Sequence, residues 1–111
     1  MTTDCLFCKI IAGTIPSQTV ADTDTIRAFN DIAPQAPVHV LVIHKRHTAS
    51  LSETDDTALL GELLGGVRDI AKQLKLSDYR VILNNGEGAG QSVFHVHAHL
   101  LAGRPLQWPP G

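Results

Sequence analysis

With 111 residues, the chain suits one domain and one core, burying roughly two thirds of the surface that its extended form exposes. A net charge of −2 excludes binding a nucleic-acid polymer through a basic face, although a few placed donors can still hold one nucleotide. No apolar run is as long as a membrane span, and Asp4 stands where a signal peptide would be basic, so a cytoplasmic setting away from any membrane is expected.

Spacing of Leu6 and Ile10 predicts a short helix over 5–12, stopped by Gly13 and followed by Pro16. Val20, then Ile26, Ala28 and Phe29, suggest two short strands joined by a turn at 22–24. A proline-punctuated loop follows. The β-rich run 38–43 reads as a buried strand. Next comes a long amphipathic helix. Ser52 is its expected N-cap, and Leu59, Leu63, Val67, Ile70 and Leu74 recur at three and four residues. Gly61, Gly65 and Gly66 weaken that helix by about 1 kcal/mol each relative to alanine, and would allow close packing on a sheet or on a partner. Residues 79–83 read as a strand, 84–90 as a glycine-rich loop and 91–101 as the last strand. The expected fold class is α+β: a mainly antiparallel sheet of about five strands, one long helix and a short N-terminal helix. The whole of 1–111 forms one domain, with 103–111 as a proline-rich tail.

Three of the six histidines, His95, His97 and His99, alternate with Val96, Ala98 and Leu100. On a strand that spacing puts the imidazoles on one face and the apolar residues on the other. Surface polarity, a zinc site with an open position and covalent catalysis by a neutral imidazole all fit three histidines so placed. The glycines at 86, 88 and 90 do not make a P-loop or dinucleotide fingerprint, because no helix follows them. Alone they read as a hairpin loop; beside the histidines they read as facing a phosphate. Cys5 and Cys8 form a C-x-x-C, which fits two zinc ligands, two buried apolar residues or a redox pair.

The wider pattern separates these readings. Phe-Asn-Asp-Ile at 29–32, Pro-Gln-Ala-Pro-Val-His at 34–39, Leu-Val-Ile at 41–43, Asn-Gly-X-Gly-X-Gly-Gln-Ser at 85–92 and His-X-His-X-His at 95–99 resemble the histidine-triad (HIT) family. The ending Gln-Trp-Pro-Pro-Gly resembles its nucleotide-binding-protein branch. That resemblance implies an enzyme that cleaves purine nucleoside 5′-phosphoramidates, or related conjugates, to the monophosphate. The alternative is a nucleotide-binding regulatory or scaffold protein with little catalysis.

By the same resemblance His97 is the nucleophile, His99 contacts the phosphate or leaving group, His39 is the upstream histidine of the site and His95 organises the strand. Asp31 would hold the ribose hydroxyls, for which a carboxylate is well suited. Phe29 and Ile32 would line the base pocket. Asn84, Gln91 and Ser92 would flank the phosphate, with backbone amides at 90–92 as donors. The reaction needs no catalytic cofactor. A structural zinc on Cys5, Cys8, His47 and His95 is implied, as is a homodimer in which the tail brings Trp108 toward the partner's site. His44 departs from the family, which commonly has proline there. In a continuing strand it points opposite to residues 41 and 43, and it is read as a surface residue.

Overall fold

The computed structural model describes residues 4–111. Its centre is the run with apolar residues on both faces, β3 (Val38–His44), which pairs on both sides. A short helix, a long helix and four strands flank it: α1 (Leu6–Ile11), β1 (Thr19–Asp22) and β2 (Ile26–Asn30) before, then α2 (Thr57–Gln73), β4 (Arg80–Ile82) and β5 (His97–Ala102) after. The strands form one antiparallel sheet in the order β1-β2-β3-β5-β4. The α+β class and the five strands agree with the sequence reading.

Each sheet face buries a different helix. On one face Val40, Val42, Ala98 and Leu100 pack under Leu59, Leu63, Val67 and Ile70 of α2. Each such leucine, fully buried, contributes about 1.5–3 kcal/mol. Gly66 lets the helix sit close, since a Cβ there would lie 3.1 Å from the Ile26 side chain. On the other face Phe29, Leu41 and Ile43 pack under Phe7 and Ile10 of α1. Because α1 is short, it covers only part of this face. The register sets His97 against Ile43 and His99 against Leu41, so both histidines lie on the α1 face.

Four expectations need correction. Asp56, not Ser52, caps α2, accepting from the Ala58 amide at 3.0 Å. The hydroxyls before it are spent on a turn: Thr54 Oγ1 donates to the Ser50 carbonyl at 2.6 Å and meets Thr48 Oγ1 at 2.7 Å. The last strand begins at His97 rather than at residue 91. At the end of β3 the His44 carbonyl accepts from the His95 ring at 2.6 Å, so the ladder stops there. Likewise β4 is shorter than 79–83. Finally, His44 is buried. It points away from Leu41 and Ile43 as expected, but that face lies under α2, where His44 Nε2 meets Glu62 Oε1 at 2.9 Å.

No described helix is long and apolar enough to cross a membrane.

Candidate active site

Histidines from two neighbouring strands meet on the open part of the α1 face. On β3, His39 is diagonal to His99 of β5, and their rings touch: His39 Nε2 lies 2.9 Å from His99 Nδ1. His97 is the next same-face residue on β5, its ring centroid 5.1 Å from that of His99. All three side chains are placed by strand pairing rather than by loops.

Backbone groups fix the proton on each ring. The Gln35 amide donates to His39 Nδ1 at 3.0 Å, so a neutral His39 carries its hydrogen on Nε2. That Nε2–H donates to His99 Nδ1. A neutral His99 therefore keeps its own hydrogen on Nε2, available as a donor. His97 Nδ1 donates to the His95 carbonyl at 2.7 Å, leaving a lone pair on His97 Nε2. The same logic counts against a metal on Asp31, His39 and His99, although their ligand atoms lie close together. A ring nitrogen that carries hydrogen cannot ligate.

The charges are set by burial. His97 is pushed below its usual value mainly by desolvation, against the opposing His95 carbonyl and the Asp31 charge. Phe7 stands edge-on to it, with centroids 4.9 Å apart, and supplies part of that dry wall. Desolvation, then the neighbouring His97 and His39, lowers His99 to about 4. Both rings are thus neutral at neutral pH, and His99 presents a neutral N–H. Asp31 is held at the rim: Oδ1 accepts from the Ala33 amide at 2.8 Å, and Oδ2 lies 3.5 Å from His39 Nε2.

His95 does not share the open face. It precedes β5, is fully buried (0 % exposed) and turns its ring toward α1. Its Nδ1 lies 3.3 Å from Cys5 Sγ and 3.6 Å from Cys8 Sγ, and His47 Nδ1 lies 3.1 Å from His95 Nδ1 and 3.4 Å from Cys8 Sγ. The three nitrogen–sulfur separations fall within the edges of a zinc tetrahedron, about 3.3–3.8 Å for Zn–N and Zn–S bonds of ordinary length, and the nitrogen–nitrogen one is slightly shorter. His95 Nε2–H is tied to the His44 carbonyl, which turns the Nδ1 lone pair to the thiols, as a zinc ligand requires. Desolvation holds His95 at about 4, in the neutral form that ligation needs. Cys5 and Cys8 are not joined in a disulfide, and the four side chains named from the sequence come together.

The loop residues divide. Gln91 is buried, and its amide is spent on the backbone: Oε1 accepts from Gly86, and Nε2 donates to Ala49 and Val93. It braces the glycine loop instead of facing outward. Asn84 Nδ2 donates to the Ala89 carbonyl at 2.7 Å and does the same. The amides of Gly90 and Gln91, expected as phosphate donors, already bond the Glu87 and Gly86 carbonyls. Ser92 is exposed, and its hydroxyl makes no hydrogen bond among the described residues. Phe29 is buried edge-on to Phe7, with centroids 5.6 Å apart, while Ile32 (102 % exposed) and Trp108 (83 %) stand in the open. Grooves elsewhere, along α2 by Gly61 and Arg68 and below the tail by Lys75 and Tyr79, carry none of the histidines.

Sequence reasoning missed the Gln35 amide, the His44 carbonyl and Phe7. The first two are backbone groups, which leave no residue-type signal. Phe7 was visible only as a helix residue of the C-x-x-C segment.

Known proteins share this fold. The sequence matches the HIT domain over residues 12–106. It is 50 % identical to an uncharacterised HIT-like protein of Synechococcus elongatus, over 100 % of both chains. A HIT family hydrolase from Legionella pneumophila superposes with a TM-score of 0.93 at 45 % identity, covering 97 % of this chain and 100 % of that one. A histidine triad nucleotide-binding protein from Candida albicans gives 0.84 at 39 % identity, over 96 % and 83 %. With His39, His97 and His99 together on adjacent strands and a domain match across most of its length, the chain belongs to the histidine-triad, or HIT, family.

Proposed function

We propose that this protein is a nucleotide hydrolase that releases a nucleoside monophosphate from purine nucleoside 5′-phosphoramidates or related conjugates. One observation carries the reading: His97 Nδ1–H is committed to the His95 carbonyl, so a neutral Nε2 lone pair stands beside the His99 donor. His97 Nε2 attacks the α-phosphorus, forming a P–N bond as the bond to the leaving nitrogen breaks; that nitrogen departs as the amine with a proton from solvent, which the water of the next step gives back. His99 Nε2–H, backed by His39, donates to the phosphoryl oxygen or the leaving group. Water then attacks the nucleotidyl-histidine, releasing the monophosphate and returning the lone pair to His97. The Asp31 carboxylate accepts from the ribose hydroxyls, Ile32 and the Phe29 segment border the base, and Ser92 donates on the phosphate side.

Zinc on Cys5, Cys8, His47 and His95 would cross-link α1 to the strand entry and take no part in the reaction. The large exposed Trp108 is the argument for a homodimer, since a tryptophan left in water forfeits a large apolar burial. Its ring would complete the partner's site.

The test is kinetic. His97→Ala should lower turnover of an adenosine phosphoramidate by about 10⁴-fold or more while AMP still binds. Turnover at the wild-type level in that variant would remove the nucleophile from the account. Tight AMP binding by the wild type, with no turnover of any conjugate, would favour a regulatory binding protein instead.

A further inference from the structure

We propose that Arg104, at the root of the tail, is a positioning residue that sets the proton on His39 through the backbone of Gln35. Two consecutive residues after β5 grip the loop ahead of β3. Gly103 has φ +96°, and an added Cβ would lie 2.8 Å from the Pro37 Cβ, so only glycine allows this approach. Arg104 follows, and its Nε–H donates to the Gln35 carbonyl at 3.0 Å while a terminal N–H donates to the Pro105 carbonyl. The other end of Gln35 is the amide that donates to His39 Nδ1. One residue thus carries the tail's bond on its carbonyl and the histidine's bond on its amide.

Little else steers Gln35. Among the described residues its side chain bonds only the Ala33 carbonyl within its own loop, and Ala33 in turn bonds Asp31. Among the described residues, this loop is tied to the sheet by the Asp31 amide on the His39 carbonyl, the Asp31 carboxylate 3.5 Å from His39 Nε2, the Gln35 amide on His39 Nδ1, the Gly103 contact and Arg104. An imidazole in water exchanges its proton between both nitrogens. The Gln35 amide selects the form with hydrogen on Nε2, which the Asp31 carboxylate 3.5 Å from that nitrogen also favours, and that form lets His39 donate to His99, whose own N–H then faces outward. Moving Gln35 by a few tenths of an ångström weakens this selection. Arg104 therefore acts on the chemistry without touching substrate.

The inference rests on the proposed function for its rate effect only; the proton position is measured independently. Imidazole ¹⁵N labelling and long-range ¹H–¹⁵N spectra of the ligand-free protein report which nitrogen of His39 carries hydrogen. The wild type should show an acceptor Nδ1 and a protonated Nε2. Arg104→Ala should move His39 toward exchange between the two forms, and lower kcat by about three- to tenfold with KM changed by less than about twofold. Arg104→Lys, which keeps one donor, should restore most of both. Arg80→Ala is the contrast: Arg80 holds the tail farther out, at the Leu106 and Gln107 carbonyls, and its loss should leave the His39 spectrum unchanged. An unaltered His39 in Arg104→Ala, or the same change in Arg80→Ala, overturns the inference. If Arg104→Ala does not fold, Arg104→Met, which keeps the apolar stem but has no donor, is read by the same criteria. Absence of turnover in the wild type would sink the hydrolase reading and leave the spectroscopic result standing.

Discussion

His95 and His97 are two residues apart, yet they belong to different kinds of site. Each gives one ring N–H to a backbone carbonyl, but from opposite nitrogens: His95 uses Nε2 toward His44, and His97 uses Nδ1 toward His95. The nitrogen left over faces the cysteines in the first case and the open face in the second. Residue type supplies an imidazole; the carbonyl beside it decides which nitrogen keeps its lone pair and which way that lone pair faces. On the closed side, under α1, Cys8 and His95 are buried and Cys5 and His47 half-buried; the His39–His97–His99 side is partly open, because α1 is too short to cover the whole sheet.

This comparison can be broken from the closed side first. Cys8→Ser should lower bound zinc from one per chain to near none and reduce Tm by about 10 °C or more, since a structural metal contributes folding energy directly. Turnover by the protein that remains folded should fall far less than in His97→Ala. Equal loss of turnover in both variants, with Tm unchanged, would make the cysteine cluster part of the chemistry.

On the open side, Asp31→Asn should raise KM about tenfold for a phosphoramidate with both ribose hydroxyls, as expected for losing hydrogen bonds to a charged acceptor. It should have little effect on the 2′,3′-dideoxy analogue. An equal rise for both substrates would place Asp31 away from the ribose.

A smaller effect concerns pH. Desolvation, with His97 and His39 beside it, holds His99 at about 4 in the fold against an ordinary value of 6.5. Between those values the unfolded chain takes up a proton that the folded site refuses. Stability therefore falls as pH drops through that window, and is indifferent to pH above it as far as His99 is concerned. His99→Gln should flatten this part of the profile. An identical slope in the variant would contradict the assignment of a depressed His99.

Much of this was legible in the sequence because periodicity and side-chain chemistry carry it. Alternation at 95–100 put Val96, Ala98 and Leu100 on the core, and the spacing along 59–70 gave the buried stripe of α2. The family pattern named Cys5, Cys8, His47 and His95, which the fold brings together. The failures share one cause. At Ser52, local hydroxyl bonds outcompeted capping. For His44 the side-chain direction was foreseen, but not that α2 would cover it. For residues 91–96 a strand was expected where side chains take over the bonding: Gln91 and His95 occupy backbone carbonyls that a ladder would have used. Tertiary partners of the main chain have no residue signature, and these partners decide where strands end.

The central claim is a covalent bond at His97. The direct measurement is intact-protein mass spectrometry after brief mixing with an adenosine phosphoramidate and an acid-free quench. The account predicts a gain of one adenylyl group that maps to His97 and is absent from His97→Ala. An adduct on another residue, or release of AMP by His97→Ala at the wild-type rate, would contradict it.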